Sequence, residues 1–245
     1  MAQGNDKINT GLLPVELQYL NDGLTESTLI LSYTADRKIK EMEITNGYGE
    51  KRAIISISYD HSGRPIALAD NYIDPKIYDI SYVGDSVIFS LRRDGSQDDS
   101  VRDVIYILDS RGRAVKAVYP FKELCFNFDY YDNNNVKSIK NIQPDWQSES
   151  SFVYDSGKRA IAENIDIPQW LVLHFYTGIE ENLFDFLFHS RNNITEIRLH
   201  DSWSPILIRY SFGNDTGYPE KWAEQRDDEA SNYIDRMLIK YSLME

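Results

Sequence analysis

Ile55-Ser56-Ile57-Ser58-Tyr59-Asp60-His61-Ser62-Gly63-Arg64 is the stretch from which the fold is read. Ile55, Ile57 and Tyr59 share one face, and Ser56, Ser58 and Asp60 share the other. That is the period of two residues of a β-strand with unlike faces. Asp60 to Gly63 then supply what a tight turn needs: a side chain that bonds its own backbone and a glycine free to take positive φ. A basic residue follows, and a second alternating run begins. The segment therefore reads as one β-hairpin.

The same pattern recurs along the chain. Copies lie at Leu31-Ser32-Tyr33 with Asp36-Arg37-Lys38, Ile80-Ser81-Tyr82 with Gly84-Asp85, and Tyr106-Ile107-Leu108 with Asp109 and Gly112-Arg113. Others lie at Tyr130-Tyr131 with Asp132-Asn133-Asn134-Asn135, Phe152-Val153-Tyr154 with Asp155, Phe186-Leu187-Phe188 with Asn192-Asn193, and Tyr210-Ser211-Phe212 with Gly213-Asn214-Asp215. Taking 33, 59, 82, 108, 131, 154, 188 and 212 as anchors, six of the seven spacings fall between 23 and 26 residues. Two strands, a turn and a connection fill such a period. Asn46-Gly47, Asp74-Pro75, Asp94-Gly95-Ser96, Pro120 and Pro144-Asp145 punctuate the intervals. Turns thus recur every 10 to 12 residues or so, the rhythm of an antiparallel meander.

The expected fold is all-β, an antiparallel up-and-down meander of repeated hairpins. Eight anchors imply about sixteen strands, plus an N-terminal strand near Val15 to Leu20. A sheet of this length is expected to close, or partly close, into a barrel that removes its edges, with folding onto itself as a sandwich the other solution. Residues 1–13 read as a flexible N-terminal segment and 14–245 as a single domain. Around Tyr131 the alternation breaks, because Asp129 occupies the apolar face. Thr177 to Asn182 reads as a loop or short helical turn in the one long interval. Asn232 to Leu243 is the expected closing strand, with a terminal helix over Asp228 to Lys240 as the competing reading.

Composition excludes several function classes. The 245 residues carry a net charge of -13, which repels phosphate backbones and anionic membrane surfaces, so no nucleic-acid partner is expected. Hydrophobic residues make up 42%, enough for a core, and the 17 tyrosines suit strands. A lone cysteine, Cys125, excludes an internal disulfide. No stretch is long and apolar enough for a membrane helix.

The repeated Tyr-x-x-Asp-x-x-Gly-Arg hairpin resembles the YD repeat of bacterial surface proteins. Over most of its length, from about Leu29 onward, the chain resembles a family of exported proteins of Gram-negative gut bacteria. That family is described as a domain of unknown function with a porin-like fold. Tyr210-Ser211-Phe212-Gly213-Asn214-Asp215-Thr216-Gly217-Tyr218-Pro219 is similar to its final hairpin. The resemblance implies a porin-like β-barrel, an exported or lipid-anchored location in the periplasm or on the outer-membrane surface, and no catalytic residues to transfer. Gly4-Asn5-Asp6 suits the segment after a lipid-bearing cysteine, so a processed N-terminal lipid is the expected tether.

No chemistry-bearing motif stands out. His61, His174, His189 and His200 form no metal pair, Gly47-Tyr48-Gly49 reads as a turn, and no Gly-x-Ser-x-Gly occurs. Cys125 has no local base. Asp94-Gly95-Ser96-Gln97-Asp98-Asp99 does not match calcium-loop spacing. No cofactor and no metal site is expected. Trp146, Trp170 and Trp203 sit near predicted connections and are the candidates for stacking on a sugar, against the plainer reading of rim or core packing. The leading expectation is a non-enzymatic exported module whose partner is a glycan or a cell-surface protein. An integral outer-membrane barrel is the second reading, opposed by Glu41, Glu43, Asp129, Lys140 and Glu163 within the strands. A glycosidase-like enzyme with carboxylates from separate strands is the third.

Overall fold

The alternating runs become sixteen strands. They are β1 (Leu12–Asn21), β2 (Leu24–Tyr33), β3 (Ile39–Asn46), β4 (Lys51–Tyr59), β5 (Pro65–Asp70), β6 (Lys76–Val83), β7 (Ser86–Leu91) and β8 (Val104–Leu108), then β9 (Ala114–Tyr119), β10 (Leu124–Tyr130), β11 (Val136–Gln143), β12 (Trp146–Tyr154), β13 (Ile194–Leu199), β14 (Ile206–Phe212), β15 (Pro219–Gln225) and β16 (Ile234–Leu243). This computed structural model describes residues 12–71, 75–92, 103–156, 160–162, 164–178, 192–200, 204–212, 217–225 and 234–243. Every strand pairs antiparallel with its sequence neighbour, and β1 pairs with β16 from Leu12 opposite Leu243 to Tyr19 opposite Met237. The sheet is therefore a closed barrel.

Three details depart from the sequence reading. β1 begins at Leu12, ahead of the boundary expected at residue 14, and sixteen strands are reached with it counted. In β10 the inner row is Phe126, Phe128 and Tyr130, so Tyr130 rather than Tyr131 ends it. Asp129 consequently points outward and the expected break does not occur. The Phe186 to Phe188 copy lies outside the described residues. The closing strand β16 falls within the C-terminal run expected to form it.

The faces of the wall are sharply unlike. Inward residues such as Leu29, Met42, Ile55, Leu68, Phe89, Tyr106, Phe128 and Phe152 are almost wholly buried and form one core. Outward positions carry charge. Glu16 pairs with Lys240 at 2.6 Å and Glu43 with Lys51 at 2.7 Å, while Asp79 pairs with Arg92 and Asp235 with Lys221. Solvent screens such exposed pairs, so each adds little stability, but together they show which face meets water.

A closed wall of sixteen strands encloses more space than its own side chains fill in known barrels of that size. Here the filler is helix α1 (Gln169–Gly178), carried on the segment between β12 and β13. It begins before the expected Thr177 to Asn182 turn. Trp170, Leu171, Val172, Leu173, His174 and Phe175 are all buried, so the helix is apolar on every side, as a helix surrounded by protein must be. Asp166 N–H donates to Arg37 O at 3.1 Å, Lys38 pairs with Asp166, and Gln169 Nε2 donates to Asn134 O at 3.0 Å. These bonds lace the entering segment across the mouth that holds the β2–β3 and β10–β11 turns. The helix then descends. Trp170 meets Tyr82 and Phe89, His174 stacks on Phe89 at 4.1 Å, and Thr177 Oγ1 bonds Tyr119 OH at 2.8 Å. Ten residues of helix span about 15 Å. Tyr106 OH lies 3.2 Å from His174 Nδ1, and burial pushes the imidazole down to about 3, so it is neutral.

Candidate binding site at the clasp end of the barrel

The turns after the even-numbered strands gather at one mouth of the barrel. Two of them show the repeat in full. Asp60 N–H donates to Arg64 O and Gly63 N–H to Asp60 O, both at 2.9 Å, with Gly63 at φ 76°. Asp60 Oδ1 accepts the N–H groups of Ser62 and Arg64, and Oδ2 accepts Arg64 Nε, each at 2.9 Å. The backbone N–H and guanidinium of Arg64 hold the Asp60 carboxyl below its usual range. Asp109, Gly112 and Arg113 repeat the arrangement. Each arginine then lies over the tyrosine of the next hairpin: Arg64 over Tyr82 at 5.2 Å, and Arg113 over Tyr130 at 4.6 Å. The Asp-x-x-Gly-Arg motif is thus a clasp, and this mouth is the clasp end.

The tyrosines do the complementary task. A bulge falls between the residues before them in Ser32/Tyr33, Ser58/Tyr59, Asp129/Tyr130 and Val153/Tyr154. With that shift or, as at Tyr82, Tyr210 and Tyr241, without it, the hydroxyl of a tyrosine near the end of an even-numbered strand reaches the start of the preceding strand. Tyr59 OH donates to Ile39 O at 2.7 Å, Tyr82 to Pro65 O at 2.9 Å, Tyr210 to Ile194 O at 2.6 Å, and Tyr241 to Pro219 O at 2.9 Å. Tyr33 and Tyr130 make the same bond to Pro14 O and Ala114 O. Neighbouring hairpins, which share no turn at this end, are tied here instead. Burial pushes the Tyr82 phenol up to about 12, keeping it a donor.

The β2–β3 turn keeps the bonds with Thr34 and Lys38 in the two places, and two adjoining hairpins alter the pattern further. In the β10–β11 turn Tyr131 stands at the clasp aspartate's place and Asn135 at the arginine's. The backbone bonds persist (Tyr131 N–H to Asn135 O, 2.9 Å), but Asn133 Oδ1 has taken over as acceptor for Asn135 N–H. In the β12–β13 connection the clasp survives with the helix-bearing segment inserted within it. Asp155 N–H donates to Asn193 O at 2.9 Å, and Asp155 accepts Asn193 N–H at 3.3 Å and Asn193 Nδ2 at 3.1 Å. Asn193 so replaces the arginine, though residues 156–192 intervene.

Between these two hairpins lies a cleft of about 440 Å³, bounded by Tyr131, Asp132, Asn133, Asn135, Tyr154 and Asp155. Its volume is that of a small-ligand site. Tyr131 and Tyr154 meet edge to face at 6.2 Å, and Tyr131 OH donates to Phe152 O at 3.0 Å, fixing its ring. Asn192 Nδ2 donates to Asp155 at 3.5 Å, which orients that amide because a carboxylate only accepts. Asn192 Oδ1 then receives Nδ2 of both Asn133 and Asn135, at 3.2 and 3.0 Å. Asn135 is 3% exposed and its Oδ1 has no partner among the described residues. Tyr154 OH is also without one, and the tie to β11 that its place in the repeat predicts is missing. Buried polar atoms are nearly always paired, so two orphans lining one cleft mark a place where something else completes the bonding.

The sequence-derived candidates fall elsewhere. Trp146 is 46% exposed at the opposite end of the barrel. Trp170 is not at a rim: it is 4% exposed on α1, walled by Tyr82, Phe89 and Tyr106. Trp203, His189, Glu163 and Asp94 to Asp99 lie outside the described residues. His61 is exposed in the first clasp, and Cys125 faces outward on β10 opposite Ile142. Among the described residues no group of three or more His, Cys, Asp or Glu is placed to hold a metal. A second hollow, about 530 Å³ on the outer wall between Glu41 and Arg92, has its polar groups engaged: Asn71 Oδ1 accepts Ile54 N–H and Arg92 pairs with Asp79.

The fold and cleft together define a closed sixteen-stranded meander barrel with an internal helix. No protein-family model and no curated protein matches the chain. Among solved structures it is similar to a porin-like protein from Bacteroides uniformis ATCC 8492, at 11% identity and TM-score 0.43 over 96% of this chain and 97% of that one. A porin-like protein from Bacteroides vulgatus ATCC 8482 is similar at 14% identity and TM-score 0.37, over 94% and 99% of the two chains. A TcdB2–TccC3 structure matches at 11% identity and TM-score 0.33, over 90% of this chain but 13% of its own.

Proposed function

We propose that this chain is a non-enzymatic binding module of a Gram-negative cell envelope, exported and held beside the membrane rather than within it. The observation that carries the reading is the polarity of the wall. Glu41, Glu43, Asp129 and Lys140 point outward, where a lipid-embedded barrel needs an apolar band. The interior, where a pore needs water, is an aromatic and aliphatic core around α1. The strand arrangement is that of a porin, and the faces are reversed. The envelope setting, with a lipid tether, is what the sequence resemblance implies, and the barrel then serves as a rigid scaffold for its clasp end.

The test uses the full 245-residue chain made without detergent. It is expected to stay monodisperse, to remain with the aqueous phase when liposomes are floated, and to add no conductance to a planar bilayer. Flotation with the vesicles, or stepwise currents, overturns the reading. Incubation with a panel of chromogenic glycosides is expected to show no turnover, and sustained release of the chromophore would restore the enzyme reading.

A further inference from the structure

We propose that the cleft between the β10–β11 turn and Asp155 binds the ring of an uncharged pyranose sugar at the end of a glycan. The proposal rests on the reading of the chain as a binding module and names what it binds.

The internal repeat supplies the first line of support. Clasps at Asp60 and Asp109 show what this turn does when it serves structure alone: an aspartate holds a glycine turn and an arginine covers the next tyrosine. The β2–β3 turn has a hydroxyl and an ammonium, Thr34 and Lys38, in these places, whereas at the β10–β11 turn both the acceptor side chain and the cation are gone. An aromatic ring, 38% exposed, and a planar amide stand in their places. The next hairpin also departs, since Tyr154 has given up the tie that Tyr33, Tyr59, Tyr82, Tyr130, Tyr210 and Tyr241 all make. Both changes weaken the fold locally and both open onto the same cleft.

The chemistry of the lining selects the ligand. A sugar ring presents a face of C–H groups that packs on an exposed aromatic face, and Tyr131 supplies that face with its orientation fixed by the bond to Phe152 O. A sugar hydroxyl both donates and accepts. Asn135 Oδ1 accepts, and Tyr154 OH donates or accepts, so sugar hydroxyls suit both orphans. Asp132 and Asp155 on the rim accept from further hydroxyls. The same two carboxylates, on a chain of net charge -13, oppose sulfated or uronic sugars and phosphates. A purely apolar ligand would leave the floor atoms unpaired at a cost.

The experiment probes an array of neutral and acidic oligosaccharides with the fluorescently labelled full chain, followed by titration and saturation-transfer NMR with the strongest neutral hit. Binding to neutral glycans is expected. Tyr131→Ala is expected to weaken it at least tenfold, and Asp132→Ala at the exposed rim to weaken it several-fold. Tyr131→Phe keeps the stacking face while losing the bond to Phe152 O, so it is expected to stay within threefold of the parent, and this separates recognition from loss of folding. Trp146→Ala, at the far end, is expected to change nothing. Retention only on acidic glycans, no retention at all, or undiminished binding by a folded Tyr131→Ala overturns the proposal. Any of these results with the chain still soluble and absent from liposomes leaves the scaffold reading standing and removes the sugar alone.

Discussion

At the residue scale the repeat's fourth turn position decides how much each clasp costs to make. Gly63 and Gly112 occupy it at φ 76° and 75°, but Arg37 and Asn134 stand there at φ 62° and 70°. A non-glycine residue in the left-handed region costs roughly 1–2 kcal/mol, and glycine returns about half of that as unfolded-chain entropy. Arg37→Gly is therefore expected to stabilise the fold by about 0.5–1 kcal/mol, read as a higher midpoint in urea; its carbonyl bond to Asp166 N–H is unaffected. A neutral or lower midpoint would show that the Arg37 side chain contributes what the geometry does not reveal. Tyr59→Phe removes one hydrogen bond and leaves Ile39 O without the hydroxyl, at a cost of about 1–2 kcal/mol. Tyr154→Phe removes a hydroxyl that bonds nothing among the described residues and is expected to be neutral or slightly stabilising. The contrast between these two tyrosines at equivalent positions, measured in one urea series, checks the assignment of the ties. The turn residues are legible in the sequence because Asp, Gly and Arg act on atoms four residues away. The bulge is not. It falls between Asp129 and Tyr130, at the end of the inner row Phe126, Phe128, Tyr130, whereas the repeat spacing anchors on Tyr131 and so assigns Asp129 to the apolar face. The cleft is invisible for a related reason, since its amide chain joins Asn135 to Asn192, neighbours only once β11, β12 and β13 are paired.

At the element scale the helix is the part that periodicity could not supply. Gln169-Trp170-Leu171-Val172-Leu173-His174-Phe175-Tyr176 has no polar face, so it carries neither the 3.6-residue signature nor a strand's alternation. Its burial is the reason: every side of it meets the wall. The same fact sets its energetics. Phe175 is fully buried, and Phe175→Ala is expected to cost about 3–5 kcal/mol, since the closed wall leaves the surroundings little freedom to collapse into the space. His174 adds a pH dependence. Its neighbours are Tyr78, Phe89, Tyr106 and Phe175, with no carboxylate among these rings to stabilise a proton. Its folded pKa lies at about 3, against the ordinary 6.5 of a solvated imidazole, so the unfolded chain binds the proton first. The stabilisation is fully present above pH 6.5 and is lost as pH falls from there toward 3, at about 1.4 kcal/mol per pH unit. His174→Gln cannot titrate but keeps a polar group beside Tyr106 OH. It is expected to start less stable at about pH 7.5 and to show a flatter decline between about pH 6.5 and 4.5. The same decline in the parent and the variant would assign the acid sensitivity to the surface carboxylates instead.

At the scale of the whole molecule, closure is what the local pattern implied without proving. Alternation and turns dictate a meander, and whether its first and last strands meet depends on the sum of sixteen strand tilts and staggers, which no single hairpin encodes. The meeting is made by β1 and β16, paired from Leu12 opposite Leu243 through Tyr19 opposite Met237 and braced outside by Glu16 and Lys240 at 2.6 Å. Leu12 and Leu243 are cross-strand neighbours, roughly 5 Å apart in such a pair. A linker of about 4–6 residues between them then behaves as one more hairpin loop. New termini opened in the Asn46 to Glu50 turn, where Tyr48 is 91% exposed, interrupt a loop at the far end and leave all clasps whole. This circular permutant is expected to keep the parent's circular dichroism and to unfold within about 2 kcal/mol of it. Opening between Asp60 and Arg64 instead severs a clasp together with the arginine's cover over Tyr82, and is expected to cost more. The order of the two permutants carries the test. If both are equally damaged the ends do not meet as a hairpin pair, and if neither is affected the clasps contribute nothing to holding the wall closed.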